Sequence, residues 1–285
     1  MADRLRCPNC AAPLELAGRV LLCARGHAFD VARQGYVTLA PPRRTLSPGD
    51  SPGMVAAREA FLATGHYRAL AKEVAAAVPS DLAEPAEARR LVVDLGAGTG
   101  YYLSALLRDR PDWQGIALDA SRPALRRAAR AHERIAAVAC DVWLALPIQD
   151  ACADLAINVF APRNGPEIAR VLAPAGALVV VTPTPRHLRE LVDALDLLGV
   201  DADKQERLHA ALAPQLRSVR RRELELEMTL DREQLHALIA MGPSAHHVDS
   251  LLLAERIAQM PASVTVSASL VVETFRPSHG VATSA

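Results

Sequence analysis

Three cysteines and one histidine near the start of the chain have the types and spacing to hold a metal ion. Cys7 and Cys10 are two residues apart, Cys23 follows after twelve more, and His27 after a further three. Each close pair can turn the chain around one ion, and together the pairs fill the four tetrahedral positions of Zn²⁺. With every position taken by protein, no place is left for a reactive water. The metal would be structural and would stabilise a segment too short to fold alone. The competing reading is three buried cysteines beside a chance histidine. Pro13 to Leu22, between the pairs, read as a short hairpin.

A second chemical stretch is Leu91 to Tyr102, Leu-Val-Val-Asp-Leu-Gly-Ala-Gly-Thr-Gly-Tyr-Tyr. An apolar run ends in Asp94, glycines follow at 96, 98 and 100, and helical patterning resumes at Tyr101. This is a buried strand, a tight turn and a helix start, the place where a parallel sheet binds small ligands. The G-x-G-x-G spacing is not the dinucleotide G-x-G-x-x-G, and no Gly-Lys-Ser/Thr marks a P-loop. An acid at the strand end beside a glycine loop suits a ligand bringing an amino group close to backbone, and S-adenosylmethionine is such a ligand. Asp119 ends the next strand, 25 residues after Asp94, where an acid accepts the ribose hydroxyls of an adenosine. A helix N-cap is the weaker alternative there, because Ser121 is available for capping. Asp141 ends the third strand and reads either as the partner of the adenine amino group or as a turn residue. Phe160-Ala-Pro-Arg-Asn164 and Thr182 to His187 follow later strands, on the rim where the transferred methyl would point. His187 reads as a pocket residue or as the cap of the helix after it.

These residues need a frame. Strands are expected at Leu91–Leu95, Gly115–Asp119, Ala136–Cys140, Ala153–Val159 and Ala177–Thr182, with helices between. Residues 188 to 217 look helical, and Leu224–Leu230 and Val264–Phe275 alternate as an antiparallel hairpin closing the sheet edge. The fold class expected is α/β: a class I Rossmann-like methyltransferase with a mostly parallel seven-stranded sheet and a small N-terminal zinc-binding domain. The divisions read as 1–40 for the zinc-binding, RNA-recognising domain, 41–90 for a linker and helices, 91–276 for the methyltransferase domain and 277–285 for a disordered tail. Pro41 to Gly53, with four prolines, reads as a linker or mobile loop, and its pair Arg43–Arg44 could touch phosphate. Two helices span Met54 to Val78, broken near Gly65-His66-Tyr67.

The chain has 285 residues, 51% of them apolar, enough for a sizeable core and two units. Lys+Arg and Asp+Glu both number 32, so any nucleic-acid surface must be a local patch. The first 50 residues supply one, with seven arginines against four acids. Phe29 and Tyr36 lie among them, as stacking platforms or as rings packed under the zinc knuckle. Arg122, Arg126, Arg130 and Arg134, four apart, form one row on a helix face, a solvated face or a phosphate contact. No run suits a membrane span or a secretory leader, and the cysteines cluster as metal ligands do, so a soluble, cytoplasmic protein is expected.

The zinc-knuckle stretch from Cys7 to Val37, Ala60-Phe61 with Gly65-His-Tyr67, the glycine loop, Phe160 to Asn164 and Pro185 to Leu188 together resemble the RlmA-type 23S rRNA guanine-N1 methyltransferases. Asn158 to Asn164 and Ala240 to Ser244 are more similar to the Gram-positive branch, which includes the tylosin-resistance methyltransferase. The resemblance implies methylation of N1 of a guanosine in hairpin 35 of 23S rRNA, with macrolide resistance as one outcome. It implies zinc on Cys7, Cys10, Cys23 and His27, cofactor contacts at Tyr67, Gly98, Thr99, Gly100 and His187, and a homodimer. Asp94, Gly96, Tyr101, Asp119 and Asp141 complete the expected cofactor set. Ala97 and Thr99 depart from other members, but small residues keep the turn.

The acceptor chemistry requires little covalent work, only alignment of N1 with an activated methyl and loss of the N1 proton. Asn164 and the carbonyls of Phe160 and Ala161 are expected to hold the guanine edge. Removal of residues 1 to 40 is expected to leave cofactor binding and abolish rRNA methylation. Two rivals stand beside this reading: a small-molecule methyltransferase of natural-product biosynthesis, and a non-catalytic zinc RNA-binding protein. The intact Asp94, glycines and Asp119 speak against the second.

Overall fold

The computed structural model describes all residues except 42–45, 48, 85–88, 196, 202, 243–249 and 279–285. The arginine pair 43–44, most of the loop 241–247, residues 243 and 244 of the resemblance, and most of the expected tail lie outside the described residues. A short ribbon comes first: a 3-10 turn at Ala2–Arg4, then strands β1 (Leu14–Ala17), β2 (Val20–Cys23) and β3 (Ala28–Asp30) in one antiparallel sheet. The predicted hairpin is thus β1–β2.

The next strand, β4 (Tyr36–Thr38), leaves the ribbon and pairs parallel with β7 (Ile135–Ala139) at the edge of the large sheet. The large sheet therefore has eight strands, not seven. Three residues are too short to read as a strand from sequence, and their partner is about a hundred positions away. Helices α1 (Pro52–Ala63), α2 (Arg68–Ala76) and α3 (Ser80–Ala83) follow, with the expected break at 65–67. Then come β5 (Arg90–Leu95), α4 (Tyr101–Arg108), β6 (Trp113–Asp119), α5 (Arg122–Ala131), β7, β8 (Ala153–Val159), α6 (Gly165–Val171) and β9 (Leu172–Pro183). The chain ends with α7 (Arg189–Leu195), α8 (Lys204–Leu212), β10 (Leu216–Asp231), α9 (Arg232–Ala240), α10 (Ser250–Gln259) and β11 (Ser263–Pro277).

The sheet order is β10-β11-β9-β8-β5-β6-β7-β4. Pairing is parallel from β4 to β9 and antiparallel at β11 and β10, as expected of a closing hairpin. The inner strands are covered on both faces, so they read as nearly unbroken apolar runs: every residue from Leu91 to Leu95 is buried. The chain winds outward from β5 through β6 to β7, then returns to β8 on the other side. That reversal puts a crevice at the C-terminal ends of β5 and β8.

Two expectations change, and two open readings are decided. β10 begins at Leu216 rather than Leu224, because Arg217 to Arg222 form an exposed edge run whose charges hide the alternation. Arg220 and Arg222 bond the Glu73 carboxylate, which is almost buried. Arg134 lies beyond α5, so the row is Arg122, Arg126 and Arg130; Arg134 donates to the carbonyls of Leu107, Arg110, Pro111 and Trp113. Phe29 packs against the core beneath the ribbon, and Tyr36 packs with Leu125, Ala137 and Ala139, so neither is an exposed stacking platform. Among the described residues no helix is long and apolar enough to cross a membrane.

The ribbon is stapled to the large unit. The Arg6 N–H donates to the Pro147 carbonyl at 3.0 Å, the Gln149 N–H to that of Arg4 at 2.9 Å, and Arg6 pairs with Asp150 at 3.0 Å. Leu5, Cys7 and Leu14 share one buried cluster with Val142, Leu146 and Ile148. Cutting at residue 40 would remove β4 and part of this core, so the expected deletion is not a clean test.

Candidate active site and metal centre

The ribbon brings its four polar ligands together. Cys7, Cys10, Cys23 and His27 each offer one donor atom, and these all lie within 4.8 Å of one another. The Cys10 and Cys23 sulfurs are 3.7 Å apart, and His27 Nδ1 lies 3.6 Å from Cys7 Sγ and 3.3 Å from Cys23 Sγ. Two sulfurs bound tetrahedrally at about 2.3 Å from Zn²⁺ would be about 3.8 Å apart. The spacing, the donor set and the filled fourth position all fit a structural zinc ion.

At the crevice, the last residue but one of β5 is Asp94, only 2% exposed. Burial, and then the nearby Asp119 charge, push its carboxyl well above the usual carboxylate range. No hydrogen bond or ion pair reaches it among the described residues, and the buried Tyr102 hydroxyl close by has no partner either. A buried carboxylate so placed calls for a cation or strong donor. An ammonium or sulfonium ligand would supply one, so the site fits S-adenosylmethionine.

The glycine loop packs tightly on the rim segment. Gly96 has φ +73°, and a Cβ there would stand 2.4 Å from Ala161 Cβ. Only glycine allows both the turn and that approach. Asp119 clamps the loop: its Oδ2 accepts from the Gly98 N–H at 2.8 Å and its Oδ1 from the Ser121 N–H at 2.7 Å. Ser121 is the N-cap of α5, so Asp119 is not. Gly100 caps α4, and Thr99 and Tyr101 line a cavity of about 550 Å³ toward α1 and α5, with Arg108, Arg127 and Arg130.

Asp141 sits in a turn: Oδ1 accepts from the Trp143 N–H, and Oδ2 from the Ser47 hydroxyl, both at 3.0 Å. Ser47 belongs to the expected linker, whose described residues lie against the cofactor rim. The Ser121 hydroxyl donates to the Asp50 carbonyl at 2.7 Å, and a Cβ on Gly49 (φ +61°) would stand 2.7 Å from Ser121 N. Arg58 holds the Asp50 carboxylate and donates to the Met241 carbonyl at 2.8 Å. Sequence reasoning missed this strap because proline and glycine content signals a loop, not where the loop rests.

Tyr67, Phe160 and His187 form an aromatic row. Tyr67 is buried, its ring 5.3 Å from Phe61 and 6.2 Å from Phe160. The Phe160 and His187 rings are 6.1 Å apart. Phe160 is 41% exposed, with φ +56°, a strained conformation for a non-glycine residue. Burial holds the His187 imidazole down to about 4, so it is neutral at physiological pH, and its buried Nδ1 has no partner.

Asn164 is held within the rim by two hydrogen bonds. Its Oδ1 accepts from the Glu167 N–H at 3.4 Å as the N-cap of α6, and its Nδ2 donates to the Trp143 carbonyl at 2.8 Å. Both ends of the amide are engaged, and the Ala161 carbonyl takes a bond from Arg163. Asn158 ties the crevice shut beneath, donating to the carbonyls of Leu95 (3.2 Å) and Pro162 (2.8 Å). Trp143, 60% exposed beside this rim, was not singled out from sequence. A lone tryptophan carries no local signal of exposure.

A parallel sheet with an acid-ended glycine loop, a clamping acid one strand over and a four-ligand metal ribbon defines an S-adenosylmethionine-dependent methyltransferase with a zinc module. Residues 5–47 match the RlmA N-terminal zinc-ribbon family and residues 92–176 a methyltransferase-domain family. A 23S rRNA (guanine(748)-N(1))-methyltransferase of Streptomyces fradiae is 48% identical over 96% of each chain. A putative 23S rRNA (guanine-N(1)-)-methyltransferase of Micromonospora griseorubida is 48% identical over 97% of this chain and 98% of its own. The chain belongs to this family of zinc-ribbon 23S rRNA (guanine-N1)-methyltransferases. A solved complex of the Haloferax volcanii Trm112 methyltransferase activator with a putative methyltransferase shares the fold, with a TM-score of 0.50, 19% identity, and coverage of 82% of this chain and 100% of that one.

Proposed function

We propose that this enzyme methylates N1 of one guanosine in hairpin 35 of 23S rRNA, the position matching guanine 748 in the name of the Streptomyces fradiae relative. The observation that carries the proposal is 48% identity over 96% of both chains. Bound S-adenosylmethionine supplies a methyl group already activated on a sulfonium. Asp94 would take its ammonium group, the Gly96 to Gly100 loop its backbone-facing side, and Asp119 and Asp141 the ribose and adenine. Tyr67 and His187 would wall the crevice and exclude water. The acceptor side combines the basic ribbon with exposed Trp143 and Phe160, rings on which unpaired bases can stack.

The enzyme acts in the cytoplasm as a homodimer on this reading, which rests on the family resemblance; a sedimentation mass of one 30.5 kDa chain would refute the dimer. The same resemblance supports macrolide protection, read as a higher tylosin concentration tolerated by a host expressing the chain. The direct test is methylation of 23S rRNA lacking the modification, followed by primer extension. Reverse transcriptase should stop at one hairpin-35 guanosine. Full-length extension with cofactor-binding enzyme would refute the assignment.

A further inference from the structure

Eight buried side-chain atoms lack hydrogen-bond partners among the described residues. Three of them, Arg163 Nε, His187 Nδ1 and Gln205 Oε1, belong to segments meeting at the C-terminal rim of β8 and β9. Buried polar groups are normally satisfied, so a cluster of orphans beside a reactive crevice marks a place for a ligand. The segments adjoin: the Phe160 N–H donates to the Val181 carbonyl at 3.2 Å, and Gln205 Nε2 donates to Thr182 Oγ1 at 2.6 Å. Helix α8, which starts at Lys204, lies so close to α6 that a Cβ on Gly165 would stand 2.2 Å from the Ala211 carbonyl oxygen. Lys204 is half-buried, has no carboxylate within salt-bridge distance among the described residues, and interacts electrostatically with Arg163 and His187.

We infer that Arg163, Lys204 and Gln205 form the site for the acceptor base, and that they select guanine. The inference rests on the guanine-N1 reading above and names the residues that would read the base. Guanine presents an acceptor, O6, beside the N1–H and N2–H₂ donors. Arg163 Nε–H donates to O6, and Gln205 Oε1 accepts from N2–H₂. Adenine would set its amino donor against the arginine donor, and uracil has no 2-amino group. When the N1 proton passes to solvent water, the negative charge left on O6 is favoured by the Arg163 and Lys204 cations. Lys204 adds charge without direction, and Arg163 adds both.

Inosine keeps O6 and N1–H but lacks the 2-amino group, so it isolates the Gln205 contact. The test uses full-length, zinc-loaded enzyme and an RNA spanning the target hairpin, with guanosine or inosine at the target position. Wild type should methylate the inosine RNA with kcat/KM about tenfold lower, the size of one lost hydrogen bond. Gln205→Leu should lose about that factor on guanosine and no longer distinguish the two RNAs. Gln205→Glu keeps an acceptor oxygen and should keep the discrimination. Arg163→Met should lower kcat on both RNAs by about tenfold or more, with S-adenosylmethionine Kd unchanged, which also shows that the variant is folded. The proposal fails if wild type treats both RNAs alike, if Gln205→Leu still discriminates as wild type does, or if Arg163→Met turns over normally. No methylation of the guanosine RNA by wild type would overturn the underlying guanine-N1 reading instead.

Discussion

Asp94 concentrates the electrostatic cost of this site in one side chain. It sits near the end of a fully buried strand, and burial and Asp119 both disfavour its charge. Its folded pKa lies above its unfolded value. Its contribution to the stability of the cofactor-free protein is therefore present at low pH and is lost as pH rises from about 4 toward the raised value. Asp94→Asn should reduce that slope in urea unfolding, leaving the part due to the likewise raised Asp119, and raise the cofactor-free Tm at neutral pH. It should also weaken S-adenosylmethionine binding by about 2–5 kcal/mol, the cost of removing one partner from a buried charge pair. A variant that binds cofactor normally would show that Asp94 does not hold the ammonium group. Asp94 and the glycines were legible because a strand-turn-helix leaves local marks. The cap made by Asn164, worth about 1 kcal/mol, was not legible because a polar residue on a reactive rim looks the same in sequence whether it faces substrate or caps a helix. Gln205 was invisible for a third reason: it lies on a separate helix, and only the fold brings it to Thr182.

At the scale of elements, the ribbon and the rim are one unit. Arg4 and Arg6 pair with Pro147, Gln149 and Asp150 through backbone bonds and an ion pair, and the same stretch of chain begins at Trp143. Glu167 of α6 accepts the Leu146 N–H at 2.7 Å, which links that loop to the segment following Asn164. Structural zinc contributes about 10–16 kcal/mol in small zinc domains, so its loss should unfold the ribbon and loosen this loop. Chelation of the metal should abolish RNA methylation while S-adenosylmethionine still binds at the β5 crevice, and added Zn²⁺ should restore turnover. Full activity of metal-free enzyme would remove the ribbon from RNA recognition. The ligand spacing and the central strands were readable because each is a local pattern. The strap residues Ser47, Gly49 and Asp50 and strand β4 were not, since both are fixed by partners far along the chain: Asp141 and Ser121 for the strap, Ile135–Ala139 for the strand.

The whole molecule gathers its parts along the C-terminal rim of one sheet. On the proposed reading the glycine loop and Asp119 face the cofactor, and they are common to a fold that serves many acceptors. On the same reading the acceptor is set by the ribbon stapled to the 146–150 loop and by the rim residues Phe160 and His187. A zero net charge is compatible with RNA binding because the basic residues are local, on the ribbon and in the groove lined by Arg108, Arg127 and Arg130. The central claim is that these parts direct one methyl group to one atom of one base. Mass-spectrometric analysis of nucleosides from fully reacted 23S rRNA tests it most directly. The account predicts one 1-methylguanosine gained per rRNA; no gain, or methyl groups found instead as 7-methyl- or N2-methylguanosine, would contradict it.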